Sequence, residues 1–106
     1  MYSRENITKI INHFVQLVSA EFPIDSVYLF GSYANGNPGE YSDIDIAIVS
    51  PKFEGDRFND IKKLARYIIK SSNDLEIHPI KSEDFTEDNP FANEIIKTGV
   101  KIEVRN

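Results

Sequence analysis

The residues best suited to chemistry lie between positions 31 and 45. Gly31-Ser32-Tyr33-Ala34-Asn35-Gly36 is followed, after residues 37–42, by Asp43-Ile44-Asp45. A glycine at the end of a strand lets the backbone turn sharply and come close to a ligand. Ser32 would then open a short helix, presenting free N–H groups and a hydroxyl where a phosphate can sit. Asp43 and Asp45, two apart on a strand, project from one face with their Cα atoms roughly 6.5–7 Å apart. Two acids converging beside a phosphate cradle would hold one or two divalent cations of the Mg2+ or Mn2+ type, which bind through carboxylates plus substrate phosphates. Glu76, on the solvent-facing parity of the next strand, is the natural third acid.

Each feature also has a plain structural use. An Asp-x-Asp occurs often by chance, and a Gly-Ser turn after a strand is usually just a loop. Ser42-Asp43-x-Asp45 could be a turn that solvates its own carboxylates. Against this, two acids on one face of an Ile-rich strand cost stability unless paired or metal-bound. The order of strand, Gly-Ser, short helix and carboxylate-bearing strand is the specific signal. Tyr28 and Phe30 read as core residues. Tyr33 and Tyr41 bracket the loop, suited to turn packing or to stacking on a base. His13 lies on a helix flank. His78 shares the face of Glu76 and either lines the site, orients an acid or is an ordinary surface histidine.

Several elements must position these groups. Ser3 caps a first helix with Ile7, Ile10, Ile11, Phe14, Val15, Leu17 and Val18 at helical spacing, closed by Phe22-Pro23. Ser26 to Phe30 reads as a buried strand. Asp43 to Val49 alternates, with Ile44, Ile46 and Ile48 on one face and Asp43, Asp45 and Ala47 on the other. A second helix starts near Asp56, apolar through Phe58, Ile61, Leu64, Ala65, Ile68 and Ile69. Its opposite face carries Lys62, Lys63, Arg66 and Lys70, by default a solvated face. Leu75 to Ile80 is a third strand. Asn89-Pro90 starts a short helix with Phe91, Ile95 and Ile96, which Gly99 ends as a left-handed cap. Val100, Ile102 and Val104 form the last strand. The expected fold is α+β, a small mixed sheet with helices mainly on one face.

Composition narrows the possibilities. The 106 residues support one core, so residues 1–106 read as a single domain. There is no apolar run of membrane-spanning length and no signal-peptide stretch at the start, so a cytoplasmic protein is expected. Cysteine is absent, which excludes disulfides, thiolate metal sites and cysteine nucleophiles. A net charge of −5 argues against direct nucleic-acid binding. Between Lys9 and Lys52 there is no Lys or Arg at all, so a bound cation must supply any attraction for an anionic ligand there.

At the 31–45 segment the chain resembles the minimal nucleotidyltransferases of the DNA polymerase β superfamily. Gly31-Ser32-x-Ala34-x-Gly36 followed by Ser42-Asp43-x-Asp45 is similar to their signature, and the element order extends the likeness over nearly the whole chain. The resemblance implies a nucleotidyltransferase fold in which Gly31, Ser32 and Gly36 hold the triphosphate and Asp43 and Asp45 bind the metal ions. It also implies a third acid on a later strand, where Glu76 fits best and Asp74 is a rival. The implied activity is Mg2+- or Mn2+-dependent transfer of a nucleoside monophosphate, AMP from ATP foremost, to an acceptor hydroxyl, including one on a partner protein. Small relatives are often paired with a helical HEPN-type protein in toxin–antitoxin arrangements. The implied partner is such a protein or a second copy of the chain. Two alternatives stand beside this reading: an antitoxin-type module that neutralises its partner by covering it, and a degenerate nucleotide binder. Relatives often carry a basic residue where this chain has Tyr33 or Asn35. Lys62, Lys63, Arg66 or a partner would then supply the charge.

Overall fold

The computed structural model describes residues 3–36 and 43–103. Tyr41, Ser42 and Val104 lie outside the described residues. Helix α1 (Arg4–Ser19) leads to strand β1 (Ser26–Phe30) and a single 3-10 turn (Gly31–Tyr33). Strand β2 (Ile44–Ser50), helix α2 (Arg57–Ile69) and strand β3 (Leu75–Lys81) follow. After a second 3-10 turn (Ser82–Asp84) come helix α3 (Pro90–Thr98) and strand β4 (Val100–Ile102). The sheet order is β3-β2-β1-β4, with β2 and β3 parallel and the other pairs antiparallel. This is the expected α+β architecture. No helix among the described residues is long and apolar enough to cross a membrane.

Alternation along the strands gives the sheet two different faces. Val27, Leu29, Ile44, Ile46, Ile48, Leu75 and Ile77 pack under α1 and α2 with Ile11, Phe14, Val18 and Leu64, forming the larger core. The opposite face carries Ala47, Val49 and Ile80 under Ile95 of α3, with Tyr28, Phe30 and Phe85 around them. The caps follow the sequence: Ser3, Asp56 and Asn89 each accept a backbone N–H of the turn they open.

The buried stripe of α2 differs from the expected one. Asp60, Leu64 and Tyr67 face inward, whereas Phe58 and Ile69 are 71% and 81% exposed and Ala65 is also exposed. The cause is Asp60, whose buried carboxylate accepts the N–H groups of Glu54 at 2.8 Å and Gly55 at 3.0 Å. Lys63 lies 3.6 Å from the same carboxylate. A buried acid satisfied this way fixes the rotation of the helix against its entry loop. Gly99 is also corrected: its φ of −79° is extended, not left-handed. Glycine is required there by space, because a Cβ would stand 2.6 Å from the Ile95 carbonyl and 3.1 Å from that of Leu29.

Strand β3 forms one edge of the sheet. The Ile44 N–H donates to the Asp74 carbonyl at 2.7 Å, so even-numbered positions of β3 bond to β2 and odd-numbered ones face outward. Pro79, which has no N–H to donate, falls in the outward set.

Candidate functional site

The second residue of β2 is Asp45, with Phe30 its antiparallel partner and Glu76 its parallel one. Alternation places Asp45, Glu76, His78 and Phe30 on the α3 side of the sheet, where β1 runs into the Gly31 turn. One oxygen of Asp45, one of Glu76 and a ring nitrogen of His78 all lie within 4.8 Å of one another. His78 Nε2 is 3.2 Å from Asp45 Oδ1 and 4.0 Å from Glu76 Oε1. Of the acids singled out in the sequence, Asp45 and Glu76 therefore come together. Asp43 is exposed just before β2 and does not join the group, and neither does Asp74.

Gly31 answers to Asp45. Its φ of +76° is a backbone conformation that L side chains rarely adopt, and a Cβ there would lie 2.5 Å from Asp45 Oδ2. The glycine thus turns the chain and makes room for the carboxylate. Gly36 has nearly the same φ, +77°, but no atom of the described residues lies within 4 Å of where its Cβ would stand. Within the turn, the N–H groups of Ala34 and Asn35 both donate to the Gly31 carbonyl at 3.1 Å. The N–H of half-buried Ser32 stands outside that pattern, at the open start of the turn.

His78 does more than a surface histidine would. Its side chain is only 16% exposed, with Phe30 edge-on at 4.9 Å and Phe91 of α3 at 6.0 Å. Arg57 Nη1 approaches its Nδ1 at 3.3 Å. A guanidinium only donates, so Nδ1 accepts and the ring proton sits on Nε2, aimed at Asp45 Oδ1. Arg57, His78 and Asp45 form a chain of hydrogen bonds ending on the carboxylate.

The cations expected from α2 are engaged elsewhere. Lys63 pairs with Glu54 at 2.6 Å, and that hydrogen bond holds its ammonium above the ordinary lysine value. Arg66 bonds Glu21, and the Tyr67 hydroxyl, followed by Glu21, raises its pKa. Lys62 lies over the Phe58 ring at 5.1 Å. Arg57 instead reaches the cluster, through His78. The one signal in the sequence for this role is its place: it directly follows the Asp56 cap and so begins the helix just downstream of β2.

The nucleotidyltransferase domain family matches residues 7–103. A protein assigned as a nucleotidyltransferase from Sulfolobus solfataricus has a similar structure, with a TM-score of 0.73 and 24% identity over 95% of this chain and 83% of that one. A toxin–antitoxin structure with AMP-PNP gives a TM-score of 0.56 and 22% identity, covering 98% of this chain and 76% of the other. A mutant form of the toxin–antitoxin pair MntA–HpeT gives 0.55 and 24%, covering 99% and 76%. A comparison with curated proteins found no match. The profile match spans most of the chain, with the motif and the sheet order in agreement: the chain belongs to the nucleotidyltransferase domain family.

Proposed function

We propose that the chain is a single-domain, divalent-cation-dependent transferase that moves a nucleoside monophosphate, AMP from ATP foremost, onto a hydroxyl of a partner protein. The observation that carries this reading is the convergence of Asp45 and Glu76 beside the Gly31–Ser32 turn. The donor set fits a cation, since two carboxylates and an imidazole already cluster within 4.8 Å. When bound, the cation neutralises the triphosphate and polarises the reacting oxygens. Asp45 and Glu76 would hold it, and Asp43, exposed just before β2, is the further carboxylate the motif offers. The Ser32 hydroxyl and N–H at the open start of the turn, with Gly36, bind the phosphates that leave as pyrophosphate. The acceptor oxygen forms its bond to the α-phosphorus as the bond to pyrophosphate breaks, in line. Glu76, on the open side of the cluster, takes the acceptor's proton. The residues contribute mainly position and charge.

The test is to isolate proteins that co-purify with the chain and to follow their mass with ATP and Mg2+. A gain of one nucleotidyl group, lost in Asp45→Asn, supports the reading. Neutralisation of a toxic partner that persists in Asp45→Asn, with no mass gain, overturns it.

That outcome would favour a second reading, a module that neutralises a HEPN-type partner by covering it. One observation supports it: a largely apolar groove of about 530 Å³ between α2 and β3, lined by Phe58, Ile61, Ile68, Leu75 and Ile77 together with Arg57 and Glu76 of the site itself. Exposed Phe58 stands at this groove.

A further inference from the structure

We propose that His78 is itself a ligand of the cation, through Nε2, and that the site consequently prefers Mn2+ to Mg2+; this rests on the reading that a divalent ion sits between Asp45 and Glu76. The spacing is close to what one ion needs. Donor atoms each about 2.0–2.2 Å from a common ion can be no more than about 4.4 Å apart. Here the nitrogen-to-oxygen separations are 3.2 and 4.0 Å, and all three atoms lie within 4.8 Å. Closure by a few tenths of an ångström completes the set. The ring already has its orientation, because Phe30 and Phe91 pack on it.

The donor chemistry sets the preference. Carboxylates and water suit Mg2+ and Mn2+ alike, but Mn2+, the first of the first-row series whose affinity for nitrogen-containing sites rises toward Cu2+, accepts an imidazole more readily than Mg2+ does. Mg2+ also gives up water reluctantly and takes few protein ligands. An oxygen–oxygen–nitrogen set is thus better matched to Mn2+.

Ligation rearranges the chain of hydrogen bonds. Without the ion, Arg57 donates to Nδ1 and the ring proton sits on Nε2. To bind an ion, Nε2 must offer its lone pair, so the proton passes through solvent to Nδ1. The ring stays neutral and no proton is gained or lost. Arg57 would then face a donor with a donor, and its guanidinium must leave. A glutamine at position 57 could accept from Nδ1–H and support the ligating tautomer. If His78 instead keeps its proton on Nε2 and merely positions Asp45, it has no reason to discriminate between ions.

The test uses the intact chain. Mn2+ is added at substoichiometric amounts in a nitrogen-free buffer without nucleotide, and pulsed electron paramagnetic resonance records nitrogen coupling to the bound ion. Mn2+ and Mg2+ affinities are measured by calorimetry with a non-hydrolysable ATP analogue. Wild type should show nitrogen coupling, and His78→Gln should lose it. His78→Gln should weaken Mn2+ at least about tenfold and leave Mg2+ within about a factor of three. Arg57→Gln should raise the preference for Mn2+. Mn2+ bound without nitrogen coupling in wild type overturns the assignment, and that measurement needs no variant to fold. Equal weakening of both ions by His78→Gln also overturns it, while the cation reading stands. Failure of both ions to bind overturns this assignment and the cation reading together.

Discussion

Asp45 Oδ2 occupies the space that a Cβ on residue 31 would need, 2.5 Å from its ideal position. Gly31 and Gly36 share a left-handed φ but only Gly31 has this neighbour. Alanine at either position should cost about 1–2 kcal/mol through backbone strain. Only Gly31→Ala should also displace the Asp45 carboxylate and weaken Mn2+ binding. Urea denaturation and Mn2+ titration of the two variants separate the effects. Equal Mn2+ affinity in both would show that the contact is incidental.

Glu76→Gln should remove transfer while leaving the melting temperature close to wild type, because Glu76 is exposed on an otherwise ordered strand. Asp74→Asn should retain activity, since Asp74 stays outside the cluster and its carbonyl serves the sheet. Activity of both variants in a nucleotidyl-incorporation assay decides between them. The reverse pattern would make Asp74 the third acid.

Asp45 and Glu76 are register neighbours, so both carboxylates repel when ionised. Mn2+ with nucleotide should raise the melting temperature. A ligand confined to the native state at a hundredfold excess over Kd adds about 2.7 kcal/mol. Replacing Asp43 and Asp45 together by Asn should stabilise the metal-free chain and abolish the metal-induced shift. Four melting curves, wild type and double variant with and without Mn2+ and ATP, test this. A destabilised double variant beside a wild type indifferent to metal would remove the cation site.

Asp60→Ala should destabilise the chain by about 2–4 kcal/mol. It leaves two part-buried N–H groups in the 54–55 loop without their charged acceptor. Because that loop delivers Arg57, the variant should also perturb the His78 ring, visible in its proton resonances. A loss under about 0.5 kcal/mol, the range of ordinary surface changes, would mean the loop holds itself.

Alkaline pH should weaken the fold. Burial, with the Glu21 hydrogen bond next, pushes the Tyr67 hydroxyl above its ordinary value near 10. In the window between the ordinary and folded values the native state holds the proton that the unfolded chain has released. Stability is therefore complete below about pH 10 and falls as pH rises through the folded value. Lys63 acts in the same direction through Glu54. Guanidinium denaturation at pH 9 and pH 11 should show a loss in wild type that Tyr67→Phe reduces. An unchanged pH slope in that variant would assign the loss elsewhere.

Periodicity made most of the fold legible in the sequence. Ile44, Ile46 and Ile48 against Asp45 and Ala47 define a strand and its faces, and Ser3, Asp56 and Asn89 mark helix starts. The motif pointed to Asp43 and Asp45 and strand parity to Glu76; the parallel register of β2 and β3 brings Asp45 and Glu76 side by side, while Asp43 stays outside the cluster. What escaped depends on contacts between distant segments. The inward turn of Asp60 comes from loop amides that no helical pattern reveals. Arg57 reaches His78 across the gap between α2 and β3, and a lone arginine after a cap gives its place on the helix but not that contact. Gly99 does end α3, but in extended rather than left-handed backbone, where the Ile95 carbonyl, with that of Leu29 beside it, leaves no room for a side chain.

Pro79 bears on how the molecule behaves among its own copies. A rim strand holding Leu75, Ile77 and Ile80 is the sort of sequence that recruits foreign strands and seeds fibrils. Any strand laid along that rim meets Ile77, then a position with no proton to share, so a continuous ladder cannot zip past it. At the opposite rim, β4 spans only Val100–Ile102, too short to template a long partner. The sheet thus ends at both sides in ways that resist growth, and crowded solutions of the chain should stay clear rather than gel.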